Sequence, residues 1–223
     1  VNTIGGQSIN NILGNPTQFA NPYQIMTGQA NGSIDFQSAA RTYISNGIQS
    51  NAQFSYANGE VKHKWQIGVR VHADQADRYE TRSNYAMTNG TMILNNVGVK
   101  GNQENQIRNA QAIASYINYD IEYKGLKISP GVRYERIEFD FQNFGNNDNG
   151  RLGAGLRSAT NTMSIVLPGI GFNYAFKNGS DLFAGIHKGF SPPGMPSVNS
   201  TTQAKVETAI NYELGYRYDQ NGL

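Results

Sequence analysis

Apolar and polar residues alternate with a period of two along much of this chain. From Ile210 to Asp219, Ile210, Tyr212, Leu214, Tyr216 and Tyr218 fall on one parity and Asn211, Glu213, Gly215, Arg217 and Asp219 on the other. Wound as a helix these apolar residues would spiral around the whole circumference, whereas on a strand they form one stripe. The same sorting holds at Trp65, Ile67, Val69 and Val71, at Ile113, Ile117, Tyr119, Ile121 and Tyr123, and at Leu126, Ile128, Pro130, Val132 and Tyr134. It recurs from Val166 to Lys177, and more weakly over Arg41–Tyr56 and Asp181–Phe190. The pattern predicts seven strands. Pro130 and Pro168 fit them least well, since proline cannot donate to a ladder.

The connections are of two kinds. Tyr56-Ala-Asn-Gly-Glu60, Tyr123-Lys-Gly-Leu126 and Lys177-Asn-Gly-Ser180 are tight hairpin signals, and Asp219-Gln-Asn-Gly222 is a fourth. Between them lie long polar stretches at Tyr79–Asn109, Asn143–Asn161 and Ser191–Lys205, and an Asn/Gln/Gly-rich segment precedes them all, from Val1 to Ala40. Very short turns at one end and long loops at the other are the arrangement of outer-membrane barrels, with short turns periplasmic and long loops extracellular. Tyr56, Trp65, Tyr119, Tyr123, Tyr174 and Phe176 all fall near the short-turn ends, where an interfacial girdle is expected.

Composition strengthens this reading. The 223 residues include 25 Gly, 13 Tyr, 10 Phe and 27 Asn, with only 15% charged. No apolar run approaches the roughly 18 residues of a membrane helix. Mean hydropathy is −0.52, which is what half-lumenal strands and polar loops produce. The expected fold is all-β, an antiparallel transmembrane β-barrel segment. A spanning sheet has to close, and bacterial barrels close with an even number of strands, so seven strands are part of a larger wall. At about 32 residues per strand, a 22-stranded transporter barrel needs roughly 700 residues. The chain then reads as about a third of such a barrel, with residues 1–40 an extracellular loop segment, residues 41–223 barrel wall, and no plug domain. It opens at Val1 without a signal segment, which agrees with a processed or internal piece.

Charge and cysteine remove other classes. A net charge of +2 gives no field suited to nucleic acid. With no Cys there is no disulfide scaffold, thiolate metal site or cysteine nucleophile. No HExxH, GxSxG or phosphate-cradling motif is present, so the chain is not expected to be an enzyme, and no cofactor or metal is expected. His63 and His72 have opposite parity and lie on opposite faces of one strand, and His187 lies in another. All three read as lumen or interface residues. Arg151-Leu-Gly-Ala-Gly-Leu-Arg157 lacks the Lys-Ser/Thr of a phosphate loop and reads as a mobile surface loop, and Ser191-Pro-Pro-Gly194 as structural.

Five segments occur in an order that resembles TonB-dependent outer-membrane receptors, most closely the ferric-dicitrate and siderophore type. They are Gly68-Val-Arg-Val-His-Ala-Asp-Gln-Ala-Asp-Arg78, Ser129-Pro-Gly-Val-Arg-Tyr-Glu135, Leu167-Pro-Gly-Ile-Gly171, His187-Lys-Gly-Phe-Ser-Pro-Pro193 and Glu207-Thr-Ala-Ile-Asn-Tyr-Glu-Leu-Gly215. The resemblance implies a bacterial outer-membrane location, lipid as the surrounding partner, a ferric siderophore or ferric citrate as ligand, and energy delivered by TonB through an N-terminal part absent here. Relatives importing glycans, cobalamin or peptides, and a non-transport surface β-sandwich adhesin, are the alternatives. Arg70, His72, Arg133, Glu135, Glu213 and Arg217 are expected to line the lumen, as ion-pair ladders of alternating sign. Arg78, Tyr79, Arg82 and Tyr85, nearer the loop side, are the candidates for contact with an anionic chelate, because guanidinium offers paired donors to carboxylate or catecholate oxygens.

Overall fold

The computed structural model describes residues 2–199 and 204–218. Its elements in chain order are β1 (Thr3–Ile4), β2 (Gln7–Ser8), α1 (Ile9–Gly14), α2 (Ala20–Met26), β3 (Gly32–Ser38), β4 (Arg41–Asn58), β5 (Val61–Thr88), β6 (Thr91–Asn96), β7 (Glu104–Tyr123), β8 (Leu126–Asn143), β9 (Arg157–Ala175), β10 (Ser180–Ser191) and β11 (Glu207–Tyr218). The seven expected strands are β4, β5, β7, β8, β9, β10 and β11. The turn expected at Asp219–Gly222 lies outside the described residues. Hydrogen bonding orders the sheet β11-β10-β9-β8-β7-β5-β3-β1-β2, with β4 and β6 also on β5. Among the described residues no pairing joins the ends of that order.

The tight turns follow their sequences. Lys124 and Gly125 both take positive φ, at 47° and 86°, as do Asn89 and Gly90 at 49° and 77°. That is the type I′ conformation which matches the twist of the flanking strands. At Gly125 a side chain is also excluded by space, because a Cβ would stand 2.6 Å from the Ala175 carbonyl oxygen.

Contacts divide the chain into two units, each built by itself. One comprises Ser45–Asp74, Asn109–Asp140 and Thr160–Leu223. Here the expected apolar stripes are exposed: Val69 at 44%, Val166 at 52% and Leu214 at 79%. The stripe then changes phase without a break in the strand. β8 exposes Val132 and Tyr134 at even positions but buries Ile137 and Phe139 at odd ones, and β9 exposes Val166 and Ile170 but buries Met163 and Ile165. These four buried residues form one apolar cluster, flanked by Ala110, Phe190, Met195 and Val206. The opposite parity beside it is polar, with Arg136 and Glu138 paired at 2.6 Å. Leu126 to Tyr134 is nine residues, about 30 Å along a strand, and at barrel tilt this matches an apolar band roughly 25 Å tall.

The other unit comprises Val1–Ile44, Gln75–Arg108 and Phe141–Ala159. Here the stretches expected as loops fold into ordered structure. Ile4, Ile12, Ile25, Ile34 and Met87 make a small core, with Phe19, Met26 and Tyr85 packed against it. Ser8 caps α1 by accepting from the Asn11 amide at 3.2 Å. Strand β3 runs antiparallel to β5 from Gly32 opposite Met87 to Ser38 opposite Thr81. The 79–109 stretch therefore contains the end of β5, the hairpin to β6 and the start of β7. Sequence alternation misses this because the apolar partners come from separate, Asn/Gln-rich segments, two or fewer per element.

Candidate functional site

Period two brings Arg78, Glu80 and Arg82 to one side of β5, while Tyr79 and Tyr85 take the other. The four predicted ligand residues are thus not one constellation. Gln37 lies directly opposite Arg82 in the ladder. Glu80, with no exposed side-chain surface, sits at the centre. Its carboxylate accepts from Gln37 Nε2 at 2.6 Å, Arg41 Nε at 2.8 Å and Arg78 Nη2 at 3.2 Å. Arg78 also pairs with Glu104 at 2.6 Å. Beside this group is a depression of about 630 Å³ whose wall includes Thr3, Gln37, Arg41, Arg78, Arg82 and Glu104.

Glu80 and Arg108 lie beyond the apolar band on their strands. Burial raises the Glu80 carboxyl, but the bonds from Arg41 and Gln37 and the charge of Arg78 outweigh it and hold the group below its ordinary value. Burial, followed by repulsion from Arg78, lowers Arg108.

Tyr79 and Tyr85 serve the structure. Tyr79 donates its hydroxyl to the Asn149 carbonyl and carries the Arg151 guanidinium 4.2 Å above its ring. Tyr85 packs edge-on against Phe36 at 5.4 Å and onto the small core. The Arg151–Arg157 stretch, expected as a mobile loop, is tied down at its start. Arg151 bonds to Asp77 through two nitrogens and to Asn105 through Nε. The Asp148 carboxylate accepts from the Leu152 and Gly153 amides at 2.8 and 2.7 Å. Sequence reading missed Arg41, Glu80, Glu104, Arg108 and Arg151. The Arg-x-Glu-x-Arg triple at 78–82 was a usable signal, since on a strand it places all three on one side.

In the other unit four of the expected lumen-lining residues, Arg70, His72, Arg133 and Glu135, pair along their own strands. Arg70 Nη2 lies 3.2 Å from His72 Nδ1, and His72 Nε2 lies 2.8 Å from Asp74. Arg only donates, so Nδ1 accepts and Nε2 carries the proton given to Asp74. Arg133 bonds Glu135 at 2.5 Å. Arg217 stands 5.7 Å over the Phe183 ring, and Glu213 joins Arg133 and His187 in lining a cavity of about 710 Å³. At the short-turn end, Tyr56, His63, Tyr119 and Trp65 stack in series at 4.5, 6.0 and 4.0 Å, and His63 Nδ1 meets the Tyr119 hydroxyl at 2.6 Å. Three of the aromatics expected to form a girdle thus stack at the short-turn end, with His63 among them.

Long hydrogen-bonded strands, exposed apolar stripes that end in aromatic clusters, and charged residues on the opposite parity define the wall of a transmembrane β-barrel. The family model "TonB dependent receptor-like, beta-barrel" matches residues 5–223, and the chain belongs to that family of bacterial outer-membrane proteins. Among solved structures it is similar to the ferric citrate transporter FecA in its unliganded form, with TM-score 0.64 and 21% identity over 85% of this chain and 27% of that one. It is also similar to the siderophore receptor PiuA from Acinetobacter baumannii, with TM-score 0.53 and 13% identity over 85% of this chain and 35% of that one. The chain thus spans about a third or less of these relatives. No curated protein matches its sequence. The family match removes the β-sandwich adhesin alternative.

Proposed function

We propose that this chain is part of the wall and outward loops of a transporter that imports a ferric chelate, ferric citrate or a siderophore, across the bacterial outer membrane. TonB would supply the energy through a plug encoded upstream. In this reading the turns at Gly59, Gly125 and Gly179 face the periplasm, and Arg78 and Arg82 lie toward the opposite, outward end of strand β5.

One observation carries the chelate reading: Arg41, Arg78 and Arg82 stand together in the wall of an open polar depression, where Glu104 is the one carboxylate among the described lining residues and Glu80 is buried behind them. Carboxylate- or catecholate-rich iron complexes are anions, and paired guanidinium donors fit their oxygens. Arg78 and Arg82 are the proposed ligand contacts, while Tyr79 and Tyr85 shape the surface around them. The functions of FecA and PiuA agree with this.

The test is uptake of radiolabelled iron by a receptor-deleted strain carrying the full-length gene. Ferric citrate or a ferric siderophore should enter, and only when TonB is present, and Arg82→Ala should weaken binding of the transported chelate by about ten-fold, the value of one charge-assisted contact. Uptake of cobalamin, a glycan or a peptide with no iron chelate transported would overturn the proposal.

A further inference from the structure

Glu80 is the one carboxylate among the described residues whose side chain has no exposed surface, and it is spent wholly on cations and an amide. Its surroundings explain why it is tolerated there. Tyr79 donates its amide to the Ala40 carbonyl, so the β3–β4 corner lies along β5 and brings Arg41 beside Arg78. Two guanidinium groups so placed repel each other. Glu80 Oε1 lies between them, accepting from Arg41 Nε at 2.8 Å and from Arg78 Nη2 at 3.2 Å. Oε2 takes Gln37 at 2.6 Å, which ties the preceding strand to the same carboxylate. The Glu80 carbonyl accepts from the Gly101 and Gln103 amides at 3.0 and 3.3 Å, and Gln103 is in the wall of the depression.

A residue whose only task was to neutralise positive charge could sit exposed and loosely paired. This one is buried, fully bonded, and linked to three segments that form the depression. Arg41 keeps 38% of its side chain exposed and Arg78 17%, and both stand in the wall of the depression beside Arg82.

We infer that Glu80 is a positioning residue, which holds the Arg41 and Arg78 guanidinium groups in the arrangement that receives the carboxylate or catecholate oxygens of the ligand. This rests on the proposed anion site but makes a demand of its own. Removing a negative charge from an anion site should strengthen binding if Glu80 acts only through its charge. It should weaken binding if Glu80 acts by holding the arginines in place.

The experiment uses the full-length receptor in detergent and the variants Glu80→Gln and Glu80→Asp, with Arg217 as the labelling control. Affinity is measured for ferric citrate and for a ferric catecholate, and the rate of phenylglyoxal labelling at Arg41, Arg78 and Arg217 is followed by mass spectrometry without ligand. For Glu80→Gln the expected results are labelling of Arg41 and Arg78 several-fold faster, with Arg217 unchanged, and chelate binding about ten-fold weaker despite the added positive charge. Glu80→Asp, one methylene shorter, should restore charge but not affinity. Tighter binding by Glu80→Gln would overturn the inference, as would unchanged labelling. If labelling responds as expected while the unaltered receptor binds neither chelate, the chelate proposal fails and the positioning of the arginines by Glu80 stands.

Discussion

Arg151 grips Asp77 through both terminal guanidinium nitrogens, at 2.6 and 3.0 Å, across 74 residues of sequence. The grip is reinforced by Nε on Asn105 at 2.7 Å and by Tyr79 under the guanidinium plane. Arg151 does this from a left-handed backbone, with φ at 55°, which a branched or bulky residue would resist. The ion pair, the Tyr79 ring, the Phe144 ring 5.3 Å from the guanidinium and a strained residue together fix the start of the β8–β9 connection against β5.

Replacing Arg151 by Ala leaves Asp77 partly buried and unpaired, at a cost of about 1–3 kcal/mol. Amide hydrogen exchange from Phe144 to Leu156 should then quicken by roughly 10- to 100-fold, while exchange in β10 and β11 stays unchanged. Lys should rescue little, because an ammonium cannot reproduce the bidentate bond or the stacking. Gly should do better than Ala, by up to about 1 kcal/mol, because it relieves the positive φ.

Acid should act on the same unit through Glu80. A carboxyl held below its ordinary value of 4.5 contributes stability that is fully present above that pH and is lost as pH falls through its lower folded value. Hydrogen-exchange protection at residues 37–41 and 99–103, taken at each pH relative to the intrinsic exchange rate, should therefore hold steady from about pH 8 to about 5 and fall away below about 4.5. In Glu80→Gln the acid step should vanish and protection should be low throughout. A step that persists in that variant would assign it to another carboxyl.

The apolar stripe predicts opposite outcomes for neighbouring positions on β5. Arg at Val69, on the exposed stripe, should cost about 2–4 kcal/mol if that position is near the bilayer midplane. In the full-length receptor the heat-modifiable folded band on unboiled SDS gels should then be largely lost. Val at Arg70, on the opposite parity, should leave that band intact, since it removes a charge rather than placing one in lipid. Equal effects at both positions would mean the stripe does not face lipid.

Gly68 and Tyr116 form a matched pair, since a Cβ on the glycine would stand 2.3 Å from the tyrosine ring. Covering a strand glycine with an aromatic ring restores the packing it lacks. Gly68→Ala should push the ring aside, and Tyr116→Ala should uncover the backbone, each costing about 1–2 kcal/mol. The double variant should cost clearly less than the sum, because the alanine methyl has room once the ring is gone. Unfolding by guanidinium in detergent micelles would measure this coupling.

Sequence alone determined the barrel wall. Strands β5, β7, β8, β9 and β11 are legible at Trp65–Val71, Ile113–Tyr123, Leu126–Tyr134, Val166–Phe176 and Ile210–Tyr218, because lipid on one face and water on the other impose a strict alternation that needs no distant partner. The turns at Lys124-Gly125 and Asn178-Gly179 are legible for a similar reason, since a positive φ is a local demand that glycine meets. Tertiary structure decided what lies beyond the band. Ile137 and Phe139 change phase in midstrand because they find Met163 and Ile165 across the sheet, and Ile4, Ile12 and Ile25 become a core only when β3 brings Ile34 beside Met87. The candidate site belongs to this second kind. Arg78 and Arg82 were marked by their charge, but Glu80 gained its role from Arg41 and Gln37, which lie about forty residues away and reach it through strand pairing that no local pattern records.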